Sequence, residues 1–373
     1  MKLDPKVFLD FLLDNDICFF SGVPDSTLKH FCFCIEHNIQ PENHVICANE
    51  GNAIGIGIGY HLSTGMIPAV YLQNSGLGNI INPLVSIADP EVYSIPMLLI
   101  VGWRGMPGTK DEPQHKKQGR ITLELLDVLG IYYVVVDEDY SAKFNKAVDY
   151  LKKESKTVAL IFPKGVIDKY QRYEQTEEPD LNMSREDAIG HVIDSSDDED
   201  IVVSTTGMAS RELYEFREKA GMGHERDFLT VGGMGHASQI ALGIALQKGA
   251  RRTYCLDGDG AFIMHMGASA VNGFSGCSNF IHIVLNNGAH DSVGGQPTLG
   301  FKIKMEEIAR AAGYRQIACV RTAIELKKSL KKIRDSKGPS FIEILVKKGN
   351  RENLGRPTTT PIENKADFME FLK

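Results

Sequence analysis

The chain has 373 residues, of which 43% are hydrophobic and 24% charged, with a formal net charge of −7. That is enough for two globular domains with a core each, and the acidic balance argues against a general nucleic-acid binder, which needs basic residues against phosphates. A local basic pocket for a small anion stays open. Seven scattered cysteines, an odd number with no Cys-x-x-Cys pair, point to free thiols in a reducing compartment rather than a disulfide framework or structural zinc. Met1-Lys2-Leu3-Asp4-Pro5 lacks a secretory pattern, and no apolar run approaches the ~20 residues that span a bilayer. A cytoplasmic enzyme is expected, with neither a membrane nor a nucleic acid as partner.

Residues 5–15 have helical spacing at Val7, Phe8, Phe11 and Leu12. The apolar run 17–20 reads as a strand, and Gly22-Val23-Pro24-Asp25-Ser26 as the turn that leads into a helix near Ser26. Buried strands are predicted over 67–72, 96–102, 132–136 and 157–162, with helical stretches between them. This alternation predicts a parallel sheet covered by helices. From Asp168 the chain turns polar, with little from which to build a core, until Ser184 offers an N-cap before Arg185-Glu186-Asp187. The α/β pattern then restarts, with strands at 201–204, 252–256, 280–285 and 341–346 and helices at 210–219 and 235–247. Two α/β domains are expected, 1–170 and 185–373, joined by a linker at 171–184.

The second half carries the sharper motif. Tyr254-Cys255-Leu256 reads as a strand that runs into Asp257-Gly258-Asp259-Gly260, and 261–270 as a helix after it. Glycines at 258 and 260 let backbone amides approach an anion, which a helix N-terminus also favours. An acid inside such a site calls for a bridging cation, and magnesium prefers oxygen ligands. After 25 residues (261–285) a second strand ends at Asn286-Asn287. Ligands of parallel sheets bind at this carboxyl edge.

The pair resembles the cofactor signature of thiamine-diphosphate enzymes. The resemblance implies two parallel-sheet thiamine-diphosphate-binding-fold domains, pyrimidine-binding and diphosphate-binding, in an α/β chain with no central domain. It implies thiamine diphosphate and Mg2+ as cofactors. Asp259, the side chain of Asn287 and the carbonyl of Ala289 would hold the metal, with Asn286 as the alternative to Asn287. Gly258, Gly260 and Ala261 would meet the diphosphate. Phe228–Ala237 resembles the loop that receives the aminopyrimidine, with Gly232 at the carbonyl position and Met234 at the apolar side chain that bends the cofactor. Gly55-Ile56-Gly57-Ile58-Gly59 is GxGxG rather than GxGxxG and reads as close helix packing. Just before it, Glu50 ends the apolar run Val45-Ile46-Cys47. It resembles the family's activating glutamate, which must be sequestered to share a proton with N1′.

Further segments resemble the compact two-domain relatives, the phosphonopyruvate and sulfopyruvate decarboxylases. They are Gly22–Ser26, Trp103–Gly108, Asp111–His115, Asn287–Thr298 and Leu354–Pro357. That resemblance implies decarboxylation of an anionic 2-keto acid, 3-phosphonopyruvate first, as in the making of 2-aminoethylphosphonate-type compounds. Sulfopyruvate decarboxylation, or a thiamine-dependent carboligase or transferase, is the alternative. Arg104, Lys110, Arg351 and Arg356 are candidate cations for the substrate anion. Asp25, His115 and His290 are candidate proton carriers. The family also implies a homodimer or higher homo-oligomer.

Overall fold

A computed structural model describes residues 2–171 and 179–373. The chain forms two compact units, Met1–Thr176 and Glu177–Lys373. Part of the expected linker, 172–178, lies outside the described residues.

The first unit is built on six parallel strands: β1 (Phe20–Gly22), β2 (His44–Ile46), β3 (Ala69–Gln73), β4 (Leu98–Trp103), β5 (Tyr132–Val135) and β6 (Val158–Pro163), in the order β2-β1-β3-β4-β6-β5. Its strands read as near-continuous apolar runs because both faces are covered. Ala69, Tyr71, Leu98 and Ile100 pack on one face with Phe8, Phe31 and Phe144. Val70, Leu72, Leu99 and Val101 pack on the other with Ile54, Ile58 and Leu126.

Two expectations at the start of the chain shift by a few residues. The first strand is Phe20–Gly22 rather than 17–20, and Gly22, expected in the turn, pairs in register with both Ile46 and Tyr71. A Cβ there would lie 2.2 Å from the Tyr71 carbonyl oxygen, so only glycine lets the strand continue. The next helix begins at Lys29 rather than near Ser26. Asp25 Oδ2 accepts the amides of Thr27 (2.7 Å) and Leu28 (3.0 Å), which holds 25–28 as a turn.

The second unit repeats the plan with β7 (Ile201–Ser204), β8 (Asp227–Leu229), β9 (Thr253–Gly258), β10 (Phe280–Asn286), β11 (Ala289–His290), β12 (Gln296–Pro297), β13 (Gln316–Val320) and β14 (Ser340–Leu345). Six of these form a parallel sheet in the order β13-β14-β10-β9-β7-β8, and β11 and β12 make a small antiparallel ribbon. Leu256, Ile283 and Ile342 face one core, while Cys255, Val284 and Phe341 face the other. Ser184 caps the helix Arg185–Asp194 in a full capping box with Asp187. The helix expected at 261–270 is instead two short ones, Asp259–Met264 and Ala268–Phe274, with Gly267 in the break. No helix among the described residues is long and apolar enough to cross a membrane.

Candidate active site

In the first unit the expected polar residues gather at the carboxyl edge of the sheet. Glu50 follows β2, Asp25 follows β1 and Arg104 follows β4. Glu50 opens the helix Glu50–Thr64, whose N-cap Asn49 accepts the amide of Asn52 at 3.0 Å. It is buried, only 6% exposed, and its Oε2 accepts from Asn79 Nδ2 at 2.7 Å. The loop after β3 closes over it. A Cβ on Gly76 would lie 2.4 Å from Glu50 Oε1.

Asp25 is fully buried. Its Oδ1 has no hydrogen-bond partner among the described residues. Burial raises its pKa above the ordinary 3.8, against the lowering effect of the Leu28 and Thr27 amides. Room for it comes from Gly102 in β4, where a Cβ would fall 2.1 Å from Asp25 Oδ2.

Arg104 is held in place by a carboxylate that the sequence reading passed over. Its Nε donates to Asp111 Oδ2 at 2.8 Å and its Nη2 to Oδ1 at 2.5 Å, while Nη1 donates to Ser26 Oγ at 2.8 Å. Burial alone would raise the Asp111 carboxyl, but the Arg104 fork and the amides of Glu112 and Gly105 hold it below its ordinary range. His115, on the first turn of the helix Pro113–Val128, is buried with Nδ1 unpartnered among the described residues. Burial, then the nearby Arg104 charge, lowers its pKa below 6.5. Lys110 stands exposed on the intervening loop.

In the second unit the two halves of the motif lie side by side. Strands β9 and β10 pair Gly258 with Leu285, so Asp259 and Asn287 emerge together at the carboxyl edge. Asp259 is 3% exposed, and burial pushes its carboxyl up to about 6. The Thr298 hydroxyl donates to its Oδ2. Asn287 is equally buried; its Oδ1 accepts the amide of Ala289 at 3.1 Å. Asn286 is tied inward instead. Its Nδ2 donates to the Gly300 carbonyl (2.8 Å) and to Glu343 (2.7 Å), and its Oδ1 accepts the Gly288 amide (3.1 Å). An Asp carboxylate, an Asn oxygen and a backbone carbonyl form an all-oxygen donor set that fits a hard divalent cation.

Gly260 adjoins this set. A Cβ on it would meet His290 Cε1 at 2.8 Å and the Met234 methyl at 3.3 Å, so the structure brings Met234 and His290 onto the turn that carries Gly258, Gly260 and Ala261. Burial lowers the His290 pKa to about 4. Gly232 has a positive φ of 74°, and its amide donates to Thr206 Oγ1 at 3.0 Å. Arg351 is already committed. Its Nε donates to Glu186 Oε2 at 2.9 Å, and Nη2 pairs with Glu215. Arg356 is exposed. The sequence reading missed Gly76, Asn79, Asp111 and Asp291. The last two lie inside segments that carry the family resemblance, so a signal was present for them.

Two parallel α/β units with polar residues at their carboxyl edges are what cofactor binding at this fold requires. Residues 5–126 match the thiamine pyrophosphate enzyme N-terminal TPP binding domain, and residues 205–344 match the C-terminal TPP binding domain. The chain belongs to the thiamine pyrophosphate enzymes, and thiamine diphosphate is its cofactor. Among curated relatives, a phosphonopyruvate decarboxylase of Streptomyces viridochromogenes is 33% identical over 88% of this chain and 85% of its own length. A phosphonopyruvate decarboxylase of Streptomyces hygroscopicus is 32% identical over 94% and 89%. A sulfopyruvate decarboxylase of Methanosarcina acetivorans is 29% identical over 94% and 92%.

Proposed function

We propose that this chain converts 3-phosphonopyruvate to phosphonoacetaldehyde and carbon dioxide, with thiamine diphosphate and Mg2+. The likeness to two phosphonopyruvate decarboxylases across most of the chain carries the reading. When bound, thiamine diphosphate supplies the electron sink for decarboxylation. Asp259, the Asn287 side chain and the Ala289 carbonyl would hold the magnesium, and the amides at Gly260 and Ala261 would face the diphosphate.

Glu50 would share its proton with the aminopyrimidine. Its burial supports that role, because a carboxylate shut away from water exchanges a proton with one partner only. Asp25 is the better proton donor to the product carbon. Burial favours its protonated form and its Oδ1 has no partner among the described residues, whereas the lowered pKa of His115 leaves that imidazole neutral at pH 7. Arg104 and Lys110 would face the phosphonate, with Asp111 orienting the guanidinium. The ion pairs of Arg351 support an architectural part for that residue, and Arg356 stays a weaker candidate.

Sulfopyruvate is the second reading, favoured by the sulfopyruvate decarboxylase relative. Phosphonate and sulfonate share a shape and differ in charge. Carbon dioxide release from both acids, compared as kcat/KM, decides between them, and release from phosphonopyruvate is expected to be the faster. Failure to release carbon dioxide without an added aldehyde acceptor would favour a carboligase or transferase instead. The assembly proposed is a homodimer or larger. Sedimentation across a concentration series would show an active monomer if that is wrong.

A further inference from the structure

The side-chain amide of Asn287 is gripped from behind. Its Nδ2 donates to Asp291 Oδ2 at 2.6 Å. The same oxygen accepts from Arg185 Nη1 at 2.9 Å and from the Gly349 amide at 3.1 Å. Arg185 is itself forked onto Glu212, Nε to Oε2 at 2.7 Å and Nη2 to Oε1 at 2.9 Å. The members are anchored on regular structure. Arg185 is the first residue of the capped helix Arg185–Asp194, Glu212 sits on the helix Met208–Ala220, and Asp291 follows the ribbon strand Ala289–His290. Arg185 and Glu212 are almost wholly buried, and the Asp291 side chain is 10% exposed.

From this geometry we infer that Asp291, held by Arg185 and Glu212, is a positioning residue that fixes the Asn287 amide with its oxygen toward the divalent cation. The inference rests on the reading that Asp259 and Asn287 hold that cation. Asp291 Oδ2 already accepts from Arg185 Nη1 and the Gly349 amide, so the edge of the Asn287 amide that faces this oxygen is the NH2 edge. The oxygen is then turned away from Asp291. One of its lone pairs takes the Ala289 amide, which leaves the other for a metal. Without Asp291 only the single amide of Ala289 would favour this orientation over the flipped one. The flipped one would aim N–H dipoles at a cation. Arg185 holds Asp291 in place, and Glu212 holds Arg185. Outer partners of this kind typically change metal affinity by about 10–100-fold.

The test is Mn2+ affinity, read from free Mn2+ by electron paramagnetic resonance on the full chain with saturating thiamine diphosphate. Wild type, Asp291→Ala, Asn287→Ala and the double variant are compared. Asp291→Ala is expected to weaken Mn2+ binding about 10–100-fold in the wild-type background and less than about twofold once Asn287 is gone. A merely structural role would cost the same factor in both backgrounds, and that result overturns the inference, as does an unchanged affinity in Asp291→Ala. Should the alanine variant fail to fold, Asp291→Asn keeps the shape while losing the charge. It should weaken Mn2+ in the same direction, again only with Asn287 present, and an equal loss without Asn287 overturns the inference equally. Wild type that takes up no Mn2+ beyond what thiamine diphosphate alone binds would sink the cation reading itself, a distinct outcome.

Discussion

Gly76→Ala separates the chemistry of Glu50 from the stability of the fold. Gly76 has φ −81° and ψ −7°, a conformation that alanine adopts without strain. On backbone grounds alone the change should stabilise the protein by about 0.4–1 kcal/mol. The new methyl, however, would sit 2.4 Å from Oε1, 2.5 Å from Cδ and 2.6 Å from Cγ of Glu50. Ordinary contact begins at 3.4 Å, so Cγ must retreat by about 0.8 Å. A side chain can yield that far by rotation, at a modest cost to folding. Its carboxylate would then leave Asn79 and the place where the proposed mechanism needs it. A misplacement near 1 Å can cost about 100-fold in rate, which is about 2.7 kcal/mol of barrier. Steady-state carbon dioxide release should therefore show kcat down by about two orders of magnitude while the melting temperature stays close to wild type. In a Glu50→Ala background, the same substitution should raise stability, because the clash is gone. Wild-type kcat in Gly76→Ala would refute the claim that the position of this carboxylate limits turnover.

Asp25→Asn tests the buried acid through pH. The folded carboxyl has a raised pKa, so its contribution to stability is fully present below the unfolded value of 3.8 and is lost as pH rises through the folded pKa. The urea midpoint of the uncharged variant should gain on wild type as pH climbs above 3.8, and a difference that shrinks instead would mean that burial does not dominate at Asp25. Arg217→Met should destabilise the protein by roughly 3–5 kcal/mol in urea titrations, because it strands a buried carboxylate. Arg217 forks onto Asp227 at 2.6 Å twice, and both side chains are fully buried. A loss below about 1 kcal/mol would show that Asp227 finds another partner or sheds its charge.

Much of the fold was legible because fully buried parallel strands announce themselves as apolar runs. The stretches at 132–136, 157–162, 201–204 and 280–285 lie within two residues of the observed strands. Strand β13 was missed. It is an edge strand whose short apolar run, Ile317-Ala318-Cys319-Val320, is flanked by Arg315-Gln316 and Arg321 and stays largely unburied, with Cys319 exposed, so it does not stand out as the fully buried strands do. The helix Pro361–Phe371 was overlooked although Thr360 and Glu363 make a capping box, a signal present in the sequence. At the site, Glu50, Asp259 and Asn287 stood out because each ends an apolar strand or opens a helix at a sheet edge. Gly76 and Gly102 did not. A glycine that makes room for a carboxylate gains its meaning from residues distant in the chain: Asp25 is 77 positions from Gly102, and the two meet only once β1, β3 and β4 align. The grip of Arg185 on Asp291 spans 106 positions and is invisible for the same reason.

The central claim is that Glu50 drives thiamine-diphosphate-dependent decarboxylation of phosphonopyruvate. It is tested most directly by carbon dioxide release from 3-phosphonopyruvate, measured side by side for wild type and Glu50→Gln, with and without thiamine diphosphate and Mg2+. The account predicts release by wild type only when both are present, and a loss of at least about 100-fold in Glu50→Gln. No release by wild type, or full turnover by Glu50→Gln, would contradict it.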